Sequence, residues 1–487
     1  MENSIQLGEE QVIKVNRSLV KLRREKKRIL LYTISPDDGT IRKMLFVTPM
    51  TAIFLYLLDG KRTWGDVSNS FSFIFGVSDK NVVLQYLKNT IELINTMIGE
   101  EVFIENRLLV DKDFWSDYDP LDFVIEKDQL DFSSQSLSAP LDINYIVTQK
   151  CNRSCIYCYA EKEYSPVFEE LSLSRICSIF QEAKSMKINS ITLSGGEAFM
   201  RPDFVNIVAE AIKANLIPFV STKSYLSKKK CALLKDSGLQ NIQVSIDSPF
   251  EKTANMMTGS KGYFNQMIKT IDNLNSVGMR VKAKAVVTSF NVNQVLELIE
   301  FLSKKNISWI HFVRYGRSNF RHQDPLFVSN EDLKIAWEKI ERYKSMHPEI
   351  RVDHNLGDLN VMPREKTREE KERLFNERAV CGVGKFTLTI LPDGAAFACE
   401  QLPTNDEFIY GDLKKQTISE IWNSKKLADL VKPPREKFVD QPCYTCNDFD
   451  ECHDKKGRCL RDAYILFGNA YAVDPKCPQA PSTPRQS

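Results

Sequence analysis

Residues 142–158 read DINYIVTQKCNRSCIYC: an apolar, β-rich run ending at Thr148, then a loop with thiols at Cys151, Cys155 and Cys158. Three thiolates on one loop cannot by themselves close a four-coordinate structural zinc site. They can hold three irons of a cubane and leave the fourth iron open to a ligand that is not protein. A zinc knot or a chance spacing is the plainer alternative, and the surroundings of the loop bear on the choice.

Working outward, DINYIVT is the first of six strand candidates, followed by SITLS, PFVST, IQVSID, VKAKAVVT and WIHFV. Amphipathic segments such as RPDFVNIVAEAIKAN, YFNQMIKTIDNLNSV and NVNQVLELIEFLSKK lie between them. Repeated β–α units over residues 140–317 predict a parallel sheet, open or curled into a partial (β/α)6 barrel. Chemistry in such folds sits on the loops at the carboxyl ends of the strands. The thiol trio follows the first strand, Ser194-Gly195-Gly196-Glu197 the second, Ser221-Thr222-Lys223-Ser224 the third and Ser245-Ile246-Asp247 the fourth. Two glycines allow close backbone approach to a ligand, and Glu197 can accept a hydrogen bond from an ammonium group. Taken alone, the Gly-Gly pair is an ordinary turn and polar strand ends are ordinary caps.

C-x3-C-x2-C with Tyr157 before the last thiol, joined to Gly195-Gly196-Glu197 after the next strand, resembles the radical S-adenosylmethionine (radical SAM) superfamily. The resemblance implies a [4Fe–4S] cluster on Cys151, Cys155 and Cys158, with S-adenosylmethionine (AdoMet) filling the open iron. It implies AdoMet contacts from Tyr157, Ser194, Gly195, Gly196, Glu197, Ser221, Lys223 and Ser245. It also implies the chemistry: one electron breaks the C5′–S bond, and a 5′-deoxyadenosyl radical takes hydrogen from an unactivated C–H bond. One departure stands out. Many relatives carry an Arg about a dozen residues beyond the Ser245 position, where this chain has Met257, so carboxylate recognition falls to another group, with Lys223 the candidate.

Nine of the twelve cysteines lie outside the trio. Cys177 and Cys231 sit in amphipathic helical segments, where a buried structural thiol is the expected role. Cys381, Cys399, Cys443, Cys446, Cys452, Cys459 and Cys477 crowd the last hundred or so residues. In a chain with no apolar signal segment at its start, clustered cysteines point to metal rather than disulfides. The pattern, including Gly394-x4-Cys399, resembles the SPASM auxiliary-cluster domain, except that six residues rather than three separate Cys452 from Cys459. The resemblance implies one auxiliary [4Fe–4S] cluster on Cys443, Cys446, Cys452 and Cys477. It implies another on Cys381, Cys399 and Cys459, one protein ligand short. Some relatives have a further Cys near the Phe386 position, and His453 or a substrate thiolate are other candidates for the missing ligand. Three cubanes and about twelve irons are therefore expected, with two zinc sites as the alternative.

Residues 1–110 contain no cysteine and read as a module: RILLYTI and KMLFVT around the turn signal Ser35–Gly39, then three helices, the third capped by Ser78. With Leu57-Leu58-Asp59-Gly60 and Thr63-Trp64 at the first helix junction, this resembles the RiPP recognition element, a winged-helix-like module that takes a leader peptide as an added strand. The basic run Lys21–Arg28 would favour an acidic leader, or else is a solvated charged face. An unrelated oligomerisation module is the alternative. Acidic, Ser-rich residues 111–139 read as a linker, 318–379 as a helical bridging region and 380–487 as the cysteine-rich SPASM domain.

Together these resemblances imply a maturase of ribosomally made precursor peptides, thioether-forming as in sactipeptides and ranthipeptides, fed by a reductant such as flavodoxin or ferredoxin. Carbon–carbon or carbon–oxygen cross-linking and formylglycine formation are the enzymatic alternatives. A cluster-binding scaffold or electron carrier is the non-enzymatic one, which the intact trio with its Gly-Gly-Glu loop opposes. A formal net charge of +2 gives no reason to expect nucleic acid. No apolar stretch approaches a membrane span, so the cytoplasm is the expected compartment.

Overall fold

The computed structural model describes residues 8–35, 38–98, 103–105, 120–132, 136–160, 169–356, 367–455 and 457–481. The chain divides into two compact units, 1–138 and 139–487. No helix among the described residues is long and apolar enough to cross a membrane.

The first unit holds two three-stranded antiparallel sheets. One is ordered β5-β1-β6, from β1 (Val12–Val15), β5 (Asp59–Thr63) and β6 (Phe103–Glu105). The other is ordered β2-β3-β4, from β2 (Val20–Arg24), β3 (Ile29–Ile34) and β4 (Ile41–Val47). Helices α1 (Pro49–Leu57), α2 (Trp64–Phe75) and α3 (Lys80–Ile98) pack beside them. Thr63 and Asp66 close a capping box at the start of α2. At α3 the cap is Asp79 rather than Ser78: its Oδ1 accepts from the Asn81 amide at 2.9 Å, because a carboxylate is the stronger acceptor for orphan N–H groups. Of the expected turn around Pro36 and Asp37, which lie outside the described residues, the Ser35 carbonyl and the Gly39 amide form the closing bond at 2.8 Å.

Two readings of this unit need correction. The run Lys21–Arg28 forms β2 and the turn into β3 and is a solvated face only in part: Arg24, Lys26 and Lys27 are exposed, the others are not. Arg23 and Glu25 are buried and paired at 2.8 Å. Arg28 is buried against the Phe46 ring and donates to the Ser136 carbonyl at 2.7 Å. Three of the seven charged side chains, Arg23 in β2 and Glu25 and Arg28 in the turn, are buried, and each has a partner. Nor are residues 111–139 simply a tether: Phe123 and Ile125 are buried in the core of this unit.

In the second unit β7 (Asp142–Thr148), β8 (Ser190–Gly195), β9 (Ile217–Thr222), β10 (Asn241–Ser245), β11 (Arg280–Val287) and β12 (Trp309–Arg314) follow one another in parallel, the partial barrel. Their outward residues, such as Ile143, Tyr145 and Val147, meet helices built on the same principle. The helix Phe204–Lys213 buries Phe204, Ile207, Val208 and Ala211, the 3–4 spacing of one face. Truncating Ile207 there to Ala would cost about 2–5 kcal/mol. The sheet extends at both edges. The expected helical bridge contributes helices Asn330–Met346 and Arg368–Glu377, and also β13 (Arg351–His354), parallel to β12. From the cysteine-rich region, β14 (Thr387–Ile390) pairs in parallel with β7 and leads to antiparallel β15 (Ala395–Phe397) and β16 (Ile409–Asp412). β15 runs back along β14, with Phe397 opposite Thr389 and so level with Asn144 of β7, and Cys399 follows it.

Candidate active site and cluster-binding cysteines

The loop carrying Cys151, Cys155 and Cys158 is gripped by neighbouring backbone. The amides of Ser154 and Ile156 donate to the carbonyls of Thr258 and Met257 at 3.1 and 3.0 Å. Those of Gly196 and Glu197 donate to Thr148 and Lys150 at 2.9 and 2.8 Å. Such contact leaves no room for side chains. A Cβ on Gly196 would lie 2.4 Å from the Lys150 carbonyl oxygen, and one on Gly259 (φ +59°) 2.7 Å from that of Ser154. In this structure the glycines of the Gly-Gly-Glu run thus serve the close approach of two loops, which fixes the trio over the barrel mouth.

Arg153, inside the trio, is the main side-chain strut, which sequence reasoning missed. It is buried and donates to Ser260 Oγ, to the Lys223 carbonyl at 3.2 Å and to Gln266 Oε1 at 2.6 Å. Its only signal in the sequence is its position.

The carboxylate of Glu197 is buried and accepts from Thr222 Oγ1 at 2.7 Å and the Lys223 amide at 2.8 Å, which locks the second loop to the end of β9. Burial raises its pKa, against those hydrogen bonds. Thr222 rather than Ser221 makes this contact; Ser221 lies opposite Gln243 in the sheet. Tyr157 is buried, with its hydroxyl donating to Asp247, and burial followed by the Asp247 charge pushes its pKa well above the ordinary 10. Lys223 Nζ stands 5.6 Å from the Tyr157 ring centroid. Ser194 Oγ bonds Asn144 Oδ1 at 3.3 Å, and the Ser245 carbonyl accepts from the Tyr263 hydroxyl. Met257, at the position of the missing Arg, is fully buried with Cys155 and Tyr157. All eight predicted AdoMet-contact residues therefore lie at the carboxyl ends of the first four barrel strands or on the loops that follow.

Within each of the three sets that the resemblance implies, thiols feel one another's charge. Burial pushes Cys155 up to about 11, with Cys158 and Cys151 adding to the rise. Burial pushes Cys443 up to about 11, with Cys477, Cys452 and Cys446 adding. Burial likewise lifts Cys399 to about 11 and Cys459 to about 12, and each also feels Cys381. Deprotonating buried thiols is costly without a cation, so each set suits a metal-bearing group that binds thiolates. Among the described residues no three Cys, His, Asp or Glu side chains form a group that could hold a single metal ion. His453 is buried: its Nδ1 bonds the Phe449 carbonyl at 2.8 Å, and its ring packs against those of Phe449 and Phe438. Cys231 is buried in the barrel core, as expected of a structural thiol, whereas Cys177 is only half-buried.

A bridge that sequence reasoning missed joins two of the sets. Glu400, next to Cys399, bonds the hydroxyl of Tyr159, next to Cys158, and accepts from Asn144 Nδ2 at 3.0 Å.

Residues 145–302 match the radical SAM superfamily, and residues 381–447 match the SPASM iron–sulfur cluster-binding domain. The chain carries a radical SAM domain and a SPASM domain. The radical SAM domain binds AdoMet, and the two domains bind iron–sulfur clusters. The SPASM match ends before Cys452, the segment where the cysteine spacing departs from the usual pattern. Among solved structures, Streptococcus suis SuiB bound to S-adenosylmethionine superposes with a TM-score of 0.63 at 16% identity, covering 95% of this chain and 99% of that one. SuiB bound to its precursor peptide SuiA gives 0.61 at 16%, covering 96% and 98%. Native anSMEcpe with bound AdoMet gives 0.50 at 15%, covering 69% and 93%. At these identities the likeness is one of fold.

Proposed function

We propose that this radical SAM enzyme modifies a ribosomally made precursor peptide and joins a substrate cysteine sulfur to a carbon of another residue. What supports the proposal is a SuiB-like fold, whose relative was captured with its precursor peptide, together with ten clustered cysteines that the family resemblance groups as three, three and four.

Cys151, Cys155 and Cys158 would hold the cluster that receives AdoMet, Cys381, Cys399 and Cys459 the first auxiliary cluster, and Cys443, Cys446, Cys452 and Cys477 the second. Bound cluster and AdoMet supply a one-electron cleavage that yields a 5′-deoxyadenosyl radical. The protein's part is placement. Arg153 and the glycine contacts fix the trio, and Glu197 holds the loops around AdoMet at one height. Tyr157, Lys223 and the ends of β8 to β10 line its place. The first auxiliary set offers three thiols, and a substrate thiolate is a ligand type that iron accepts well. A sulfur held near the reacting carbon exchanges a bimolecular search for proximity. His453 keeps Nδ1 on the Phe449 carbonyl and has a buried Nε2 without a hydrogen-bond partner, so it is the in-chain alternative to a substrate thiolate.

The first unit would bind the leader. Its sheet β2-β3-β4 ends, among the described residues, in the edge strand β4, whose residues 42–44 are exposed, and strand addition works on an edge. The boundary lies at Ser138, because Phe123 and Ile125 belong to that core. A chain lacking residues 1–138 is expected to cleave AdoMet but to bind its precursor far more weakly; unchanged precursor KM would remove the leader-binding role.

Mass spectrometry with a thiol-alkylating reagent tests the bond. A thioether gives a loss of two hydrogens and one fewer alkylatable cysteine per ring. The same mass loss with every cysteine still alkylated would favour a carbon–carbon or carbon–oxygen cross-link.

A further inference from the structure

We infer that the buried Arg378–Asp474 ion pair holds up the reduction potential of the second auxiliary cluster and ties its cysteines to those of the first. The inference rests on reading the seven C-terminal cysteines as ligands of two clusters.

The pair sits between the two sets and is bonded to both. Arg378 Nη2 donates to Cys452 Sγ at 3.4 Å and to the Gly457 carbonyl at 3.1 Å. Its Nη1 donates to the Phe375 carbonyl, and its guanidinium lies 3.5 Å over the Phe375 ring. Arg378 Nε stands 3.9 Å from Asp474 Oδ2, with side-chain exposures of 5% and 3%. The same Oδ2 accepts from the amide of Cys459, in the first set, at 3.0 Å. The Asp474 carbonyl accepts from the amide of Cys477, in the second set, at 2.8 Å. One side chain of the pair therefore touches a sulfur of the second set, and the other holds backbone of the first.

A buried ion pair is a weak source of stability, since desolvation offsets the attraction, and apolar residues would fill the same space as well or better. What apolar residues would not supply is a cationic N–H aimed at a cluster sulfur. Hydrogen bonds to the sulfurs and nearby charge are main determinants of iron–sulfur potential. A cationic donor withdraws electron density from the thiolate and favours the more negative, reduced cluster, which raises the potential. On the first set, Cys459 Sγ accepts from the neutral backbone amide of Asp462 at 3.4 Å, and the nearby Arg461 guanidinium is aimed at Asp462 and Gln401 instead of a sulfur. Charge-assisted bonds are roughly twice as strong as neutral ones, so the effect falls on the second cluster. Asp474 opposes it by partly neutralising the guanidinium, which gives two substitutions of opposite sign.

The test is an EPR-monitored redox titration of the full-length, anaerobically reconstituted protein, with iron counted in every sample. Arg378→Met keeps the stem packed on Phe375 and removes the charge. It should lower the midpoint of one auxiliary cluster, the one lost when Cys443 and Cys446 are replaced by Ala, and leave the trio's cluster unmoved. Asp474→Asn keeps the shape and should raise the same midpoint. A merely structural pair would not give shifts of opposite sign. Unchanged midpoints at full iron content, or equal shifts in all clusters, would overturn the inference. If Arg378→Met fails to load iron, the sign of the Asp474→Asn shift decides alone. A wild-type protein with no auxiliary-cluster signal would instead overturn the cluster reading on which the inference stands.

Discussion

The two places where thiols gather are built by different means. The trio is held chiefly by backbone: glycines at 196 and 259 let two loops press on the cysteine loop, and one buried arginine braces it. The C-terminal set is held chiefly by buried charged side chains. Arg378 and Asp474 bridge its two halves. Arg458 donates to the Ala472 carbonyl at 2.8 Å, and Lys385 donates to the last carbonyls of the helix Phe449–Lys455, including Lys455 at 2.9 Å. Backbone grip suits a loop that must present one open position at a fixed height over a barrel. Side-chain charge suits sites whose electrostatics are to be tuned.

The contrast can be broken most severely by removing one auxiliary set. Replacing Cys381, Cys399 and Cys459 with Ala should abolish peptide modification and remove about four irons, while AdoMet cleavage survives. Loss of cleavage as well would show that the two regions do not act separately. A smaller effect is expected from Gly196→Ala, whose Cβ would press on the Lys150 carbonyl. Overpacking against backbone costs roughly 1–3 kcal/mol. The melting temperature should fall and AdoMet affinity with it, whereas Gly316→Ala, with nothing within 4 Å, should change neither. Smaller again, Arg153→Met should weaken AdoMet binding by about tenfold, equivalent to about 1.4 kcal/mol, with auxiliary iron retained. Equilibrium dialysis and iron counting read both.

A further effect is one of pH and concerns the barrel. Burial, then the charges of Lys284 and Lys282, holds the pKa of His311 down to about 4, against an ordinary 6.5. Between those values the unfolded chain binds a proton that the folded one refuses, so stability falls as pH drops through that window. His311→Gln should lessen the fall in melting temperature between pH 6.5 and 4, the rest coming from groups such as His453, which burial also holds down to about 4. An unchanged slope would mean that His311 is protonated in the folded protein.

Much of the barrel was legible because its signals are local. All six strands stand within a residue or two of the apolar runs that announced them, and the trio's spacing lies within one loop. The features that stayed hidden depend on partners distant in sequence. Arg23 and Arg28 read as surface charge, but Glu25 pairs with the first and the Ser136 carbonyl and Phe46 ring take the second. Phe123 and Ile125 sit in an acidic, Ser-rich stretch whose composition conceals two anchors. Glu197 showed as an acceptor, but its partners Thr222 and Lys223 come from the next strand. Arg378 and Asp474 are separated by 96 positions, 474 minus 378, and no spacing rule joins them. The division of the seven thiols followed from resemblance rather than from their order, because Cys459 of one set lies between Cys452 and Cys477 of the other.

The central claim is that the trio serves radical AdoMet chemistry. Its most direct test is the amount of 5′-deoxyadenosine formed from AdoMet under dithionite, measured by liquid chromatography for the reconstituted protein and for its Cys151→Ala, Cys155→Ala, Cys158→Ala variant. The wild type should release 5′-deoxyadenosine, and the variant none while it keeps about eight irons. Release by the variant at the wild-type rate would contradict the account.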